Sequence, residues 1–427
     1  MAGTDTFNLS TELQVMKIMV QKYGGTSVAG PERMRKVLSR VRKGVDEGFK
    51  MIVVLSAMSG ETNKLLSLAK EFSTCPDPEE MDALVANGEN VSIALFSILA
   101  RTEGLKALSL QAWQIPILTT DAYMKARIIS IDDRRLKAML ENCDVLVVAG
   151  FQGVDCHGRI TTLGRGGSDT TGVALAAAVK ADVCEIYTDV DGVFTTDPRL
   201  CSAARKLDRV SYDEMLELAS SGSKVLQIRS VEFAKKFNVP VRVRSTFTDD
   251  PGTVVTQEDD AMMEDLVISG IAYDRNQARV TVYKVKDKPG VAASIFGAIA
   301  NKRILVDMII QNTSHDGITD MSFTVTRTDL DMTLAILEKV KAEIGAECVQ
   351  HDTNVAKVSV VGVGMRNHSG VASTMFQALR DENINIKLIA TSEIKITCLI
   401  DEKYVELAVR ALHTAFGLDK QEPVAAC

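Results

Sequence analysis

The sequence predicts an α/β protein in which a three-layer αβα domain is followed by two ferredoxin-like βαββαβ units. Two patterns predict this class: strands and helices alternate with short links up to about Val255, and the remaining residues contain an internal repeat. The chain has 427 residues, which is too long for one compact core. Its net charge of −7 argues against a nucleic-acid or anionic-membrane partner.

The first domain is expected to cover residues 16–256, after a polar, disordered extension at residues 1–15 and before an acidic linker at residues 257–266. A long apolar helix is expected over Pro78–Ala100. A first strand is expected near Met16. Later apolar runs predict further strands at Ile52–Leu55, Ile115–Leu118, Val145–Ala149, Val183–Thr188 and Val239–Val243. Because helical stretches alternate with these runs, the sheet should be mainly parallel.

Two copies of one pattern fill the C-terminal part, at residues 267–346 and 347–427. With an offset of 80 residues, Gly290 matches Gly370 and Val291 matches Val371. Each copy has the order of a βαββαβ unit, with a first helix that begins at the glycine. Two such units can pair edge to edge. Neither copy contains a nucleophile and a base that could act together, so catalysis is expected in the first domain.

The eight cysteines form no CxxC pair and no regular spacing. This is typical of the reduced thiols of a cytosolic protein rather than of a disulfide framework or a zinc site. No apolar run approaches the ~20 residues of a membrane span, and the N-terminus lacks the basic and apolar segments of a signal peptide. We therefore expect a cytoplasmic protein with no metal site of its own.

Two glycine-rich segments are candidates for binding anions. The segment KYGGTS, residues 22–27, ends the first predicted strand; its glycines would let backbone N–H groups approach phosphate, and Lys22 adds a charge. It is not a P-loop, and a tight strand-to-helix turn is the alternative. The segment LGRGGSDTT, residues 163–171, opens a helix, and Arg165 could hold a carboxylate with two hydrogen bonds. A flexible surface loop is the alternative there, which the apolar helix after it disfavours.

Charged residues elsewhere suggest a nucleotide and an amino group as ligands. The loop at residues 188–199 has acids for ribose or metal, Phe194 for a base and Arg199 for phosphate, or it is an ordinary acidic turn. Lys224 is a second candidate for phosphate, or a solvated helix lysine. Glu89 begins an apolar helix and could hold a substrate ammonium, or it only interacts with the helix dipole.

The five histidines occupy none of these motifs. A carboxylate substrate with a pKa of ~3.9 is already ionised at neutral pH and needs no general base to attack phosphorus. Such a reaction needs alignment and cancellation of charge between two anions. A site rich in Lys, Arg and backbone N–H groups is therefore suited to carboxylate phosphorylation.

Together, the segments KYGGTSV, NGEN, TTLGRGGSDTT, YTDVDGVFTTDPR and SKVL resemble the aspartokinase family within the amino-acid-kinase fold, and the repeated unit resembles its tandem ACT domains. The resemblance covers about residues 16–417. It implies a monofunctional enzyme that uses ATP to phosphorylate the β-carboxylate of aspartate, giving 4-phospho-aspartate. This is the first step toward lysine (through diaminopimelate), threonine and methionine.

The resemblance assigns catalysis to Lys22 on the transferred phosphate, Arg165 on the substrate α-carboxylate and Asp169. Glu89 and Asp169 would face the substrate amino group. The other residues expected to line aspartate are Thr62, Gly166, Gly167 and Ser168. Those expected to hold ATP, whose phosphates carry Mg²⁺, are Lys22, Tyr23, Gly24, Gly25, Ser56, Tyr187, Thr188, Asp189, Val193, Phe194, Thr195, Thr196, Asp197, Pro198, Arg199 and Lys224.

The first repeat copy is expected to carry the main effector contacts. Asp287, Lys288, Pro289 and Gly290 open a helix whose N–H groups could take an effector carboxylate. Asp307 and Gln311, on one side of the next strand, could take its ammonium and its polar side chain; the alternative is that Asp307 is a surface charge. In the second copy Lys387 stands opposite Asp307 and would repel an ammonium. The resemblance adds the effector residues Val291, Ala292, Val306, Val371, Ala372, Asn385, Ile386, Ser392 and Glu393.

The resemblance implies feedback inhibition by lysine, threonine or both, bound where the ACT units of two chains meet in a homo-oligomer. Some relatives also make the regulatory half as a separate subunit from an internal start, for which Met262 and Met263 are candidates. Another amino-acid kinase, acting on glutamate or acetylglutamate, is the alternative enzyme. A sensor without activity is the alternative of another class, and it would require the loss of Lys22 or Arg165.

Overall fold

The computed structural model describes residues 16–223, 225–258, 268–312, 317–366, 368 and 370–420. The expected extension at residues 1–15, most of the expected linker, Met262, Met263 and Lys224 lie outside the described residues. The chain forms two compact units, Met1–Asp191 with Arg229–Thr256, and Gly192–Ile228 with Gln257–Cys427. Residues 192–228, which the sequence placed in the catalytic domain, therefore group with the repeated units.

The elements follow the predicted alternation. Up to residue 188 they are β1 (Ile18–Tyr23), α1 (Pro31–Asp46), β2 (Lys50–Leu55), α2 (Glu61–Phe72), α3 (Pro78–Val85), α4 (Asn87–Thr102), β3 (Ala107–Leu110), β4 (Ile117–Thr119), β5 (Ile128–Ile131), α5 (Asp133–Asn142), β6 (Val145–Ala149), β7 (Gln152–Val154), β8 (Ile160–Thr162), α6 (Gly167–Val179) and β9 (Val183–Thr188). Next come β10 (Arg209–Ser211), α7 (Tyr212–Ser220), α8 (Ile228–Phe237), β11 (Val241–Ser245) and β12 (Thr253–Thr256). The last part contains β13 (Gly270–Lys286), α9 (Val291–Ala300), β14 (Ile309–Gln311), β15 (Ile318–Val325), α10 (Leu330–Ile344), β16 (Cys348–Val361), α11 (Val371–Asp381), β17 (Ile386–Thr391), β18 (Lys395–Asp401) and α12 (Val405–Ala415).

The first unit is built on a mainly parallel sheet, as predicted. Its strands lie in the order β12-β11-β9-β1-β2-β6-β3, and only β12 pairs antiparallel with its neighbour in this series. The central strands are buried on both faces, which explains their continuous apolar runs. A smaller sheet has the order β5-β4-β7-β8. The carboxyl ends of β1, β2 and β9 meet at one edge of the large sheet, where α/β proteins bind ligands.

The helix predicted over Pro78–Ala100 is two helices, α3 and α4, which are separated at Ala86. The Asn87 side chain donates to the carbonyls of Ala83 and Leu84, competing with the backbone hydrogen bonds of a continuous helix. By length and composition alone Pro78–Thr102 could cross a membrane, but half of its most apolar window is buried. Ile93, Phe96 and Ala100 pack in the core of the unit, which is the burial expected of a core helix.

The second unit contains a six-stranded antiparallel sheet in the order β14-β15-β13-β16-β18-β17. The two repeat copies are joined through the long strands β13 and β16. Residues 279–283 of β13 pair with residues 348–352 of β16, whereas residues 270–277 pair with residues 355–361. The strands β13 and β16 are therefore shared between the two ferredoxin-like units. One half of each strand lies in the first four-stranded unit, and the other half lies in the second. The predicted boundary between residues 346 and 347 falls just before this shared strand.

The segment at residues 192–228 is tied to this sheet by buried polar contacts. The Glu214 carboxylate accepts hydrogen bonds from Ser269 Oγ and from the Val363 N–H. Thr195 Oγ1 lies 2.9 Å from His413 Nε2, and Ile271 N–H donates to the Thr195 carbonyl at 2.7 Å. These contacts explain why the segment belongs to the second unit.

Candidate active site

Lys22 and Asp169 form an ion pair beside the carboxyl end of β1. The distance from Lys22 Nζ to Asp169 Oδ1 is 2.5 Å, and both side chains are nearly buried. Asp169 lies in the first turn of α6, which packs on β1. A Cβ atom at Gly172 would lie 3.1 Å from Lys22 Cβ, so glycine at this position allows the close approach of helix and strand.

The loops after β1 and β2 also approach each other closely. A Cβ atom at Gly25 would come within 2.6 Å of the Ala57 carbonyl oxygen, which only glycine avoids. Ser56 N–H donates to the Tyr23 carbonyl at 3.2 Å. A Cβ atom at Gly24 would lie 3.6 Å from Lys22 Nζ. Gly24, Gly25 and Ser56 are therefore brought to the same edge as Lys22.

Three further predicted residues of this edge differ in exposure. Thr62 is half-buried in the first turn of α2. The Tyr23 and Tyr187 rings are buried and stacked, with 4.6 Å between their centroids. These rings are part of the core, so a nucleotide would meet only the backbone of the two tyrosines.

Glu89 is buried at the start of α4 beside the loop after β2. Its Oε1 accepts a hydrogen bond of 3.0 Å from the Ala57 N–H, while its Oε2 has no hydrogen-bond partner among the described residues. Burial raises the pKa of Glu89 to about 7, and the Ala57 hydrogen bond opposes this shift. A buried carboxylate with a free oxygen is suited to a cationic ligand.

The glycine-rich loop before α6 has the conformation that its glycines predict. Gly164 and Gly166 have φ values of 79° and 73°, which glycine adopts without strain. No side chain caps α6, which begins at Gly167. Ser168 is buried, and a Cβ atom at Gly150 would lie 2.7 Å from its Oγ. Arg165 is exposed and forms no ion pair with any described residue, so its guanidinium is free for an anion.

The loop predicted to bind the nucleotide is divided between the two units. Thr188 ends β9 in the first unit and donates to the carboxylate of the exposed Asp189. In the second unit, Val193, Thr195 and Thr196 are buried, Phe194 is partly buried and Pro198 is exposed.

The Asp197 carboxylate has two partners within the second unit. It pairs with Arg199 at 2.9 Å and accepts a 2.9 Å hydrogen bond from Tyr273 Oη. The Arg199 hydrogen bond is the main cause that lowers the pKa of Asp197.

The effector residues of the first repeat copy lie around α9 and β14. Asp287, Lys288, Pro289 and Gly290 are exposed, and Gly290 precedes α9 with no side-chain cap. Asp307 precedes β14 instead of lying on it, so the prediction that Asp307 and Gln311 share one strand is wrong. The Asp307 N–H donates to the Thr324 carbonyl at 3.1 Å, which holds this connection beside β15.

Asp307 already has a cationic partner within the protein, the side chain of Lys357. Lys357 of β16 is buried, and its Nζ forms an ion pair with Asp307 Oδ2. In the second copy, Lys387 Nζ lies 2.7 Å from Asp352 and 2.6 Å from Asp401. Burial lowers the pKa of Lys387, but the hydrogen bonds with these two acids outweigh it and the pKa is raised. The Asp307–Lys357 pair thus joins the two copies, whereas Lys387 pairs with acids of its own copy.

The remaining effector residues vary in exposure. Val291 and Val371 are buried, Val306, Ala372 and Ile386 are partly buried, and Ala292, Gln311, Asn385, Ser392 and Glu393 are exposed. Ser392 Oγ donates to Glu217 at 3.3 Å. Among the described residues, no three His, Cys, Asp or Glu side chains are grouped as a metal site.

Comparison with known proteins agrees with this architecture. The model of the amino acid kinase family matches residues 17–245, and two ACT domain models match residues 279–345 and 358–416. An aspartate kinase of Pseudomonas putida is 56% identical over 95% of this chain and 98% of its own length. An aspartokinase of Helicobacter pylori is 52% identical over 94% of this chain and 100% of its own length.

Solved structures give the same result. The crystal structure of E. coli aspartokinase III in complex with aspartate and ADP has a TM-score of 0.80 at 28% identity, over 93% of this chain and 99% of that chain. The structure of the same enzyme with lysine and aspartate has a TM-score of 0.72 at 28% identity, over 94% and 99% of the two chains. The chain therefore belongs to the aspartate kinase family and combines an amino-acid-kinase domain with two ACT domains.

Proposed function

We propose that this aspartate kinase transfers the γ-phosphoryl of ATP to the β-carboxylate of aspartate at the edge formed by β1, β2 and α6. The observation that carries the proposal is the buried Lys22–Asp169 pair beside the glycine loop, with the unpaired oxygen of Glu89 next to the same loop. Because Glu89 bonds Ala57, whose carbonyl lies against Gly25, this carboxylate stands beside the loop that would approach phosphate.

Each charged residue of the site then has one role. Lys22 neutralises charge on the transferred phosphoryl group, and Asp169 holds Lys22 in place. Glu89 receives the ammonium of aspartate, and Arg165 receives its α-carboxylate with a bidentate hydrogen-bonded pair. The attacking β-carboxylate is ionised at neutral pH, so alignment and charge cancellation supply the catalysis.

The nucleotide is proposed to bind next to β1 and β9. The solved relative that contains ADP supports nucleotide use by this fold. Gly24, Gly25, Ser56, Thr188 and Asp189 are the proposed contacts at this edge. The resemblance to the aspartokinase family adds Val193, Phe194, Thr195, Thr196, Asp197, Pro198, Arg199 and Lys224 as further proposed contacts. Mg²⁺ is proposed to enter on the phosphates of ATP as part of the substrate.

We also propose that lysine, threonine or both inhibit the enzyme through its ACT pair. Two ACT domains and a relative solved with lysine support this proposal. The product would be the 4-phospho-aspartate that begins lysine, threonine and methionine synthesis, in the cytoplasm. The chains would assemble into a homo-oligomer through their ACT units. The alternative assembly would also contain the regulatory half as a separate subunit.

The substrate is tested by trapping the acyl phosphate with hydroxylamine. Aspartate with Mg²⁺ and ATP should give hydroxamate, whereas glutamate and acetylglutamate should give almost none, because one more methylene moves the reacting carboxylate away from Lys22. Equal product from glutamate would contradict the substrate assignment. Measuring the aspartate reaction with added lysine, threonine and both together tests the feedback proposal, and unchanged rates in all three mixtures would contradict it.

A further inference from the structure

The loop at residues 162–166 carries Arg165 toward solvent. The Arg165 side chain is exposed and makes no ion pair with a described residue, so no such partner within the described part of the chain fixes its guanidinium. Its position therefore depends on the backbone of the loop. Two glycines with positive φ flank it, and glycine has the greatest backbone freedom of any residue. Something outside the loop must hold this backbone in place.

The first anchor of the loop is the fully buried side chain of Asp82, in α3. Its Oδ2 accepts hydrogen bonds from Thr162 N–H at 2.8 Å and from Met124 N–H at 2.9 Å. The Thr162 carbonyl accepts in turn from Ala126 N–H at 2.9 Å. Asp82 thus joins the start of the loop to the segment at residues 124–126.

The second anchor is Arg229, in the first turn of α8. Its guanidinium donates to the carbonyls of Leu163 at 2.6 Å and of Ala126 at 2.9 Å. Among the described residues no carboxylate forms an ion pair with Arg229. Burial and the neighbouring Arg127 lower its pKa, and the charge of Glu232, which forms no ion pair with it, opposes this shift only in part. A half-buried guanidinium without a paired acid is costly to desolvate, so its two bonds to carbonyls point to a role in geometry rather than in charge pairing.

We propose that Arg229 is a positioning residue for aspartate binding: its fork fixes Leu163, two residues before Arg165, and so places the Arg165 guanidinium where it meets the substrate α-carboxylate. The inference rests on the proposed role of Arg165. A planar fork with several N–H donors can hold two carbonyls at once, which the single ammonium of lysine does less well.

The test compares Arg229→Met and Arg229→Lys with the unchanged enzyme. We expect Arg229→Met to raise the KM for aspartate about tenfold, because a binding group moved by ~1 Å loses much of its effect. The KM for ATP should stay within about twofold, since the hydrogen bonds of Arg229 go to Leu163 and Ala126, which lie outside β1 and β9. The KM for aspartate of Arg229→Lys should lie between those of the unchanged enzyme and of Arg229→Met. Arg101→Met is the matched control: it removes another arginine–carbonyl bond of the same unit, to Ala107 at 2.7 Å, and should leave both KM values unchanged.

A double-mutant cycle separates this inference from the role of Arg165 itself. If Arg229 acts through Arg165, Arg229→Met should add almost nothing to the aspartate KM of Arg165→Ala. A raised KM in Arg165→Ala but not in Arg229→Met would overturn the role of Arg229 alone. An unchanged KM in Arg165→Ala would overturn the proposed role of Arg165 and this inference with it. If Arg229→Met does not fold, as circular dichroism would show, the same cycle with Arg229→Lys decides, and additive KM changes there overturn the inference.

Discussion

Glu89→Gln tests whether the buried carboxylate receives the substrate ammonium. Glutamine keeps the shape of the side chain and can still accept the Ala57 hydrogen bond through its carbonyl oxygen. It cannot become charged. Burial raises the pKa of Glu89 to about 7 in the free protein, so the carboxylate is mostly neutral at pH 6 and mostly ionised at pH 8. Only the ionised form can pair with an ammonium.

The expected magnitude follows from this pKa. With a pKa of about 7, the ionised fraction rises about tenfold between pH 6 and pH 8. The KM for aspartate should therefore fall about tenfold over this range in the unchanged enzyme. In Glu89→Gln it should be high and nearly independent of pH. Hydroxamate trapping at saturating ATP measures both profiles, and the KM for ATP serves as the control. Parallel profiles in the two proteins would refute the assignment of Glu89 to the ammonium.

The same shift predicts a change in stability with a definite sign. A pKa raised from 4.5 to about 7 means that the folded protein binds this proton more tightly than the unfolded chain. The stabilisation is complete below pH 4.5 and is lost as the pH rises to about 7; with about 1.4 kcal/mol for each pKa unit it amounts to roughly 3 kcal/mol. Glutamine does not ionise, so Glu89→Gln should not lose this stability. The free energy of unfolding of the variant, relative to that of the unchanged enzyme, should therefore increase between pH 5 and pH 8. Denaturant unfolding at the two pH values measures it.

Three further changes test the remaining roles. Lys22→Ala should lower kcat by ~10²-fold or more, because it removes charge neutralisation from the transition state; near-normal turnover in steady-state assays would remove Lys22 from the mechanism. Arg165→Ala should mainly raise the KM for aspartate, and a fall in kcat alone would contradict the carboxylate role. Asp307→Ala should raise the inhibitory concentration of lysine or threonine at least about tenfold, but it also leaves the buried Lys357 unpaired. The double change Asp307→Ala with Lys357→Met keeps the first effect without the loss of stability, and unchanged inhibition in both variants would refute the effector assignment.

The parts of the site that the sequence predicted depend on local backbone requirements. Gly25, Gly164 and Gly166 follow or precede regular elements, where close approach or positive φ demands glycine, and the structure shows both reasons. Such requirements are visible in a short stretch of sequence. The parallel sheet was predictable for a similar reason, because its fully buried strands appear as continuous apolar runs.

The residues that the sequence did not reveal act through distant partners. Asp82 meets Thr162 across 80 residues, Arg229 meets Leu163 across 66, and Lys357 meets Asp307 across 50. An isolated Asp, Arg or Lys on a predicted helix or strand is usually solvated, so nothing in the local pattern distinguishes these three. The pairing of Asp307 with Lys357 also bears on the proposed effector role of Asp307, since an effector ammonium must compete with a cation of the protein.

The grouping of residues 192–228 has the same physical origin. Strand β10 and helix α7 continue the alternation of the first unit, and an alternating pattern favours one domain. Buried polar side chains of this segment, however, have partners in the second unit: Thr195 meets His413, and Glu214 meets Ser269. The chain enters this segment after β9, whose Ile186 pairs with Lys22 in the sheet, and leaves it at Arg229, which bonds Leu163 in the Arg165 loop. The segment that packs with the ACT pair is thus continuous, at both ends, with residues that position the candidate active site.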